Sequence, residues 1–151
     1  MSGLIVAQNR RARHDYTILD SFEAGLVLVG SEVKSIRQGK ANIRDAFASV
    51  KEGELYLLGS HIATYTQANR FNHEETRPRK LLVHRKELNR LIGAIQRKGV
   101  TLVPLNLYFN KKGRVKVEMG VAKGKDAADR RETIKQRDWQ REKHRLLKGE
   151  R

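Results

Sequence analysis

The strongest constraint on the fold is a series of short strand-like runs separated by turn signals, from Tyr16 to about Val121. The candidate strands are "YTILDSF", "LVLVG", "DAFASVKEGELYLLG", "HIATY", "KLLV", "TLVPLNLYF" and "RVKVEMGVA". Two pairs predict hairpins, one turning through Glu52-Gly53 and the other through Asn110 to Gly113, where glycine can adopt a positive φ. The pattern predicts a mainly β protein with a small antiparallel barrel or sandwich, and it disfavours a helical bundle.

One long segment interrupts the strand pattern and predicts a helix that lies on the barrel. In "HRKELNRLIGAIQRKG" four apolar residues recur at helical spacing: Leu88, Leu91, Ile92 and Ile95. Gly99 stands where a C′ glycine would end this helix.

A second, shorter helix is predicted in "GSEVKSIRQG", which follows an apolar run, Leu26 to Val29, typical of a buried strand. Ser31 suits the N-cap, Glu32 lies where the helix dipole favours an acid, and Gly39 can end the helix. The spacing places two side chains on the barrel and two outward: Val33 and Ile36 inward, Lys34 and Arg37 outward.

Two segments lack the pattern of a packed element. "NRFNHEETRPRK", residues 69–80, has no apolar period, and we expect an exposed, mobile basic loop. The last 29 residues, from Lys123, hold 11 basic and 6 acidic residues and few large apolar ones. We therefore expect a barrel domain over 1–122 and a tail over 123–151 that is disordered alone and helical only against a partner.

Composition restricts the class of partner. Lysine and arginine total 32 against 17 acids, for a net charge of +15, which indicates nucleic acid or an anionic membrane unless this is merely a soluble basic protein. No amphipathic helix with a wide apolar face stands out, so nucleic acid is favoured over a membrane. The longest N-terminal apolar stretch, "LIVA", is too short for a signal peptide or a membrane span, and we expect a cytoplasmic protein.

The sequence offers little support for an enzyme, a cofactor or a metal site. There is no cysteine, and the five histidines show no metal-ligand spacing. "GVAKGKD", Gly120 to Asp126, lacks the ending of a phosphate-binding loop and is interpreted as a basic hinge. His14 and Asp15 are adjacent on a predicted strand and would point to opposite faces, which favours binding or packing over catalysis.

The remaining residues form a candidate nucleic-acid surface. "NRRARHDY", residues 9–16, combines arginine forks for phosphates with asparagine, histidine and tyrosine for bases or ribose. An outward Tyr108 could stack a base while Phe109 packs in the core. Glu23 and Glu32 either form surface ion pairs or accept hydrogen bonds from base amino groups. Arg79 and Lys80 of the basic loop are either contacts or solvated charge.

Taken together, the motifs resemble those of the small protein B family, the SsrA-binding (tmRNA-binding) proteins of bacterial trans-translation. The segments that carry the resemblance, from about Asn9 to Leu147, are "NRRARHDY", "EAGLVLVGSEVKSIR", "GKANIRDAF", "GELYL", "RPRKLLVHRKEL", "KGVTLVPLNLYF" and "VAKGKDAADRRETIKQRDW". The resemblance implies an oligonucleotide-binding-type barrel that grips the tRNA-like domain of tmRNA and delivers it to stalled ribosomes. It also implies a tail that folds in the empty decoding centre and mRNA channel, and it makes elongation factor Tu a further candidate partner through the tmRNA complex.

The resemblance assigns residues to two surfaces. With the candidates above, the predicted tmRNA contacts are Asn9, Arg11, Arg13, His14, Tyr16, Glu23, Lys34, Arg37, Arg79, Lys80, Leu82 and Tyr108. The predicted ribosome contacts are Lys123, Lys125, Asp129, Arg130, Arg131, Trp139, Leu146 and Leu147. Asp126 and Ala128 depart from the family pattern, which more often has a lysine at position 126 and an aromatic residue or histidine at position 128. If the family uses position 128 for stacking at the decoding centre, this chain would have to use Trp139 or His144 instead. Without the resemblance, a generic single-strand RNA binder or a ribosomal protein would be the first choice.

Overall fold

The computed structural model describes residues 4–65 and 72–124 and contains nine strands and three short helices in that part of the chain. The strands are β1 Leu4–Gln8, β2 Tyr16–Leu26, β3 Ala41–Asn42, β4 Phe47–Lys51, β5 Glu54–Leu58, β6 His61–Ile62, β7 Arg79–Leu82, β8 Val100–Phe109 and β9 Val115–Gly124. The helices are α1 Ala12–Asp15, α2 Gly30–Arg37 and α3 Arg85–Ile95.

Seven strands form one antiparallel sheet in the order β1-β8-β4-β5-β7-β2-β9. Because β8 also pairs with β9, the sheet closes on itself into a barrel, and β1 extends it on the other side of β8. β3 and β6 form a separate two-stranded ladder. The predicted fold class, a mainly β antiparallel barrel with flanking short helices, is confirmed.

Alternation along the strands fills the barrel with aliphatic side chains. The largest fully buried ones include Leu55, Leu57, Leu81, Leu102, Leu107, Val117 and Met119. Helices α2 and α3 contribute to this core: Ile36 of α2 is fully buried, as is Leu91 of α3, with Leu88 nearly so. A smaller cluster under α1 joins Ala12 to Val103, Leu105 and Ala122, with Tyr16 and Ile18 packed against it.

The two predicted hairpins are confirmed. β4 and β5 turn through Glu52 and Gly53, with φ values of 53° and 76°, which suits the right-handed twist of the flanking strands. β8 and β9 are joined across Asn110 to Arg114, where Gly113 has a φ of 76°.

Several details of the sequence interpretation are wrong. "YTILDSF" and "LVLVG" are not two strands, because β2 runs without a break to Leu26 and the buried strand predicted over Leu26–Val29 does not form. Val27 and Val29 are 43% and 47% exposed. The Val27 N–H still donates to the Lys80 carbonyl at 2.9 Å, but the chain then turns into α2, whose N-cap is Val29. β1 was not predicted. Gly120–Gly124 belong to β9 and are not a hinge.

The helix ends also differ from their predictions. α2 is confirmed and Gly39 ends it with a φ of 74°, but its N-cap is Val29 and not Ser31. α3 is confirmed as well, although it ends at Ile95, and Gly99 forms the turn into β8 with a φ of 79°. No described helix is long and apolar enough to cross a bilayer.

Candidate nucleic-acid interface

A groove on the outside of the barrel lies between β2, the end of β7, the start of α3 and β9. Its volume is about 660 Å³, within the range of ligand pockets in proteins. The lining residues are Ser21, Phe22, Glu23, Gly25, Leu82, Val83, His84, Glu87, Arg90 and Lys116. This outer groove brings together two predicted contacts that are far apart in the chain, Glu23 and Leu82, and Leu82 presents an apolar side chain that is 50% exposed.

Strand register sets the side chains beside the groove in two rows on the outer face. In one row Glu23 of β2 lies opposite Glu118 of β9. In the next row Gly25 lies opposite Lys116, which lies opposite Tyr108 of β8. The Tyr108 hydroxyl reaches across β9 and donates a hydrogen bond to the Glu23 carboxylate. The result is a carboxylate held at the groove by a residue two strands away.

Tyr108 is not exposed in the way that the predicted stacking on a base requires. It faces away from the core residue Leu107, as expected, but its side chain is only 3% exposed. Burial, together with the hydrogen bond to Glu23, raises the pKa of Tyr108, so the hydroxyl stays protonated and remains a donor. Its role in the structure is to hold Glu23.

Two basic side chains that were not among the predicted contacts, Lys116 and Arg90, also line the outer groove. The Lys116 ammonium lies 3.6 Å from the point that a Cβ on Gly25 would occupy, so it extends over the groove floor. Arg90 is paired with Glu87 at 2.6 Å and with Asp20 at 3.3 Å. The alternation in "RVKVEM" marks Lys116 as outward, but only the β2–β9 register shows that it lies beside Glu23.

The outward basic residues of α2 lie over aromatic rings. The Lys34 ammonium is 5.6 Å from the centre of the Tyr65 ring, and the Arg37 guanidinium is 5.9 Å from that of Phe109. Both basic side chains are exposed, as predicted, and these distances are those of cation–π contacts. Lys80 of β7 is half-buried, with its ammonium 3.7 Å from Glu54.

Arg79 is not an exposed contact and Glu32 is not a surface acid, because the two form a fully buried ion pair. The Arg79 Nε donates to Glu32 at 2.6 Å, and its Nη1 donates to the Ser60 carbonyl and hydroxyl at 3.0 Å each. Arg77 donates to the other oxygen of Glu32 at 2.5 Å. The predicted mobile basic loop is therefore pinned to α2 over its later residues, while residues 69–71 lie outside the described part of the chain.

Glu32 also closes the first turn of α2 by accepting a hydrogen bond from the Val29 N–H at 2.9 Å, as in a capping box. Burial alone would raise the pKa of Glu32, but the hydrogen bonds from Arg77, Val29 and Arg79 outweigh it and hold the pKa below its usual value. Beside this pair, Ser31 and the buried His73 share a hydrogen bond of 2.8 Å, and the other nitrogen of His73 donates to the Ile62 carbonyl at 2.9 Å. The whole network is structural.

The N-terminal segment forms a second basic surface. Three predicted contacts are exposed there: Arg11, Arg13 and His14. His14 and Asp15 lie on the helical turn α1 and not on a strand. Asn9 is not an open contact, because it is only 7% exposed and its Nδ2 donates to the Ile43 carbonyl at 3.5 Å.

Tyr16 is half-buried against the small cluster under α1 and lines a pocket of about 360 Å³ with Arg44 and Phe47. Along β2, Tyr16 and Glu23 are separated by roughly 23 Å at 3.3 Å per residue, so this surface is distinct from the outer groove. The single interface predicted from the sequence is therefore two separate surfaces in the structure.

Of the predicted ribosome contacts, only Lys123 lies in the described residues. It is exposed near the end of β9 and pairs in register with Thr17 and Val100. The other predicted contacts lie outside the described residues: Lys125, Asp129, Arg130, Arg131, Trp139, Leu146 and Leu147. Within residues 4–65 and 72–124, no three histidine, aspartate or glutamate side chains are grouped as they would be to hold a metal ion.

A closed antiparallel barrel in a chain of net charge +15, with basic and aromatic side chains on its outer surface, defines a nucleic-acid-binding barrel protein. Comparison with known proteins narrows this class. The family model described as SmpB protein matches residues 6–149, and the chain belongs to this family.

Relatives and a solved structure agree with this assignment. The SsrA-binding protein of Symbiobacterium thermophilum is 59% identical over 144 residues, covering 95% of this chain and 91% of the relative. That of Agrobacterium fabrum is 59% identical over 145 residues, covering 96% and 91%. A structure described as "tmRNA-SmpB: a journey to the center of the bacterial ribosome" contains a chain with a TM-score of 0.69 and 48% identity, covering 84% of this chain and 92% of that one.

Proposed function

We propose that this protein binds the tRNA-like domain of tmRNA and delivers it to stalled ribosomes for trans-translation. The single observation that carries the proposal is the 48% identity and shared fold with a chain of the structure whose description names tmRNA-SmpB and the bacterial ribosome. The relatives named SsrA-binding protein support the same partner. The protein acts in the cytoplasm, where ribosomes are, and elongation factor Tu contacts it through the tmRNA complex.

The barrel makes the tmRNA contacts. The outer groove offers the Glu23 carboxylate, an exposed leucine and one lysine side chain, and α2 offers two cations preoriented over aromatic rings. This mixture suits a folded RNA with unpaired loops, which proteins recognise by shape, stacking and polar contacts. If the barrel neutralises about six phosphates, raising salt from 50 to 200 mM weakens binding roughly 10³-fold.

The tail, residues 123–151, whose first two residues form the end of β9, probes the empty mRNA channel and the decoding centre. It carries a net charge of +5, which suits an anionic groove that mRNA would otherwise occupy. Deleting the residues after Gly124 leaves β9 complete, so we expect tmRNA affinity to stay nearly intact while tagging on stalled ribosomes is lost. Loss of tmRNA binding on this deletion would contradict the division of labour between barrel and tail.

Competition binding tests the choice of partner. The full chain should keep its affinity for labelled tmRNA in an excess of bulk tRNA, and equal displacement by any RNA would favour the alternative, a generic RNA-binding or ribosomal protein. We also propose that the protein is not an enzyme. Incubation with labelled RNA and a divalent cation should then give no cleavage products.

A further inference from the structure

We propose that Glu23, positioned by Tyr108, reads the Watson–Crick edge of one unpaired guanine that enters the outer groove. The inference rests on the proposed function and names the chemistry by which the groove would select its RNA. Glu23 contributes specificity here, and Tyr108 acts as a positioning residue.

The first step is the geometry of the carboxylate. Glu23 is exposed on β2 and lines the groove, yet its side chain is anchored, because Oε2 accepts the hydrogen bond from the buried Tyr108 hydroxyl. An ionised carboxylate has about four lone-pair sites over its two oxygens. The tyrosine occupies one of them, so Oε1 and a second site on Oε2 remain for two parallel donors.

The second step is the match to a base. A carboxylate only accepts hydrogen bonds, so it selects the edge that presents two adjacent donors. On the Watson–Crick edge, guanine alone presents them, as N1–H beside the N2 amino group. Adenine and cytosine place a ring-nitrogen acceptor beside their amino group, and uracil places carbonyl acceptors on both sides of its N–H. Each of these bases would set an acceptor against one carboxylate oxygen.

The third step is the surroundings of Glu23. Glu118 lies directly opposite it, and two like charges in one cross-strand row are unfavourable until donors approach them. Lys116 extends over Gly25 in the next row, within the same groove, and supplies a cation for the guanine O6 or a phosphate. The exposed Leu82 side chain supplies an apolar surface for the face of the base. The groove thus offers a partner for each part of a guanosine nucleotide: Glu23 for the Watson–Crick edge, Leu82 for the face of the base, and Lys116 for O6 or a phosphate.

The test replaces each unpaired guanosine of the tRNA-like domain, one at a time, with inosine, which lacks only the N2 amino group. Affinities of the full chain are measured for each RNA, with Glu23→Gln and Tyr108→Phe as variants. Glu87→Gln is the matched control, because it removes another acid from the same groove. Thermal melting checks that all three variants fold.

At one position, inosine should weaken binding of the unsubstituted protein about tenfold or more, the range for a hydrogen bond to a charged group. Glu23→Gln should bind the guanosine and inosine RNAs equally at that position. Tyr108→Phe should show a smaller ratio of guanosine to inosine affinity than the unsubstituted protein, and Glu87→Gln should keep the full ratio. If the protein is specific for tmRNA but no inosine position depends on Glu23, this inference is wrong and the proposed function stands. Equal displacement of tmRNA by bulk tRNA would overturn both.

Discussion

Replacing Glu32 with glutamine tests whether the buried ion pair holds α2 and the segment before β7 together. Glutamine keeps nearly the same shape, and its side-chain oxygen can still accept the Val29 N–H, so the capping box survives. What is lost is the negative charge between Arg77 and Arg79. Arg77 is one-third exposed and can turn towards water, but the Arg79 side chain is completely buried.

The magnitude follows from the charge that is left behind. A guanidinium cannot deprotonate in a protein, so Arg79 would remain a buried cation with only neutral partners such as Ser60. Removing one partner of a buried pair typically costs about 3–5 kcal/mol, a large part of the stability of a small domain. At about 4 °C per kcal/mol, we expect Tm to fall by about 10–20 °C.

Urea and thermal unfolding of the full chain measure this change. Glu87→Gln is the control, because it breaks an exposed pair with Arg90 and should cost less than about 1 kcal/mol. Arg79→Met should be much less damaging in the Glu32→Gln background than in the unsubstituted protein, because the buried cation is then gone. Below its unfolding transition Glu32→Gln should bind tmRNA normally. A loss of less than about 1 kcal/mol would refute the structural role of the pair.

Three further predictions concern stability and RNA affinity. Folding lowers the pKa of Glu32, so its carboxylate stabilises the folded state fully above pH 4.5, the usual pKa, and this stabilisation is lost as the pH falls through the lower pKa of the folded protein. Below pH 4.5, the Tm of the unsubstituted protein should therefore fall more steeply than that of Glu32→Gln. Gly59→Ala should cost about 2 kcal/mol or more, because φ is 75° and the new Cβ would lie 2.8 Å from a backbone oxygen. Gly53→Ala, with φ of 76° and open space around it, should cost less, and the reverse order by urea unfolding would contradict the steric argument. Lys34→Ala combined with Arg37→Ala should reduce the slope of log K for tmRNA binding against log salt concentration by about two. An unchanged slope would show that neither side chain contacts a phosphate.

Local signals in the sequence were enough to predict the fold class. Strand alternation, the glycines of the two hairpin turns and the helical spacing in α3 each depend on neighbours within a few residues. β1 was missed because it is an edge strand defined by pairing with the distant β8. The strand expected over Leu26–Val29 does not form, because the chain turns there into α2, whose N-cap is Val29.

The candidate site was less predictable, because burial and register decide it. Arg79 and Lys80 are neighbours in one basic run, yet one is fully buried against Glu32 and the other lies at the surface. Alternation along β8 places Tyr108 on the face opposite Leu107, but only the structure shows that its side chain is buried there and that its hydroxyl reaches Glu23. Sequence period and composition carry no information on such partners, which lie on other helices and strands that are distant in the chain.

Hydrogen exchange of the full chain with and without tmRNA tests the central claim most directly, because it locates the RNA on the surface. We expect added protection around the outer groove, in residues 21–25 and 82–84, and along α2, with no comparable protection in the tail when the ribosome is absent. Protection confined to the tail, or an unchanged outer groove in a fully bound complex, would contradict the assignment of tmRNA binding to the barrel.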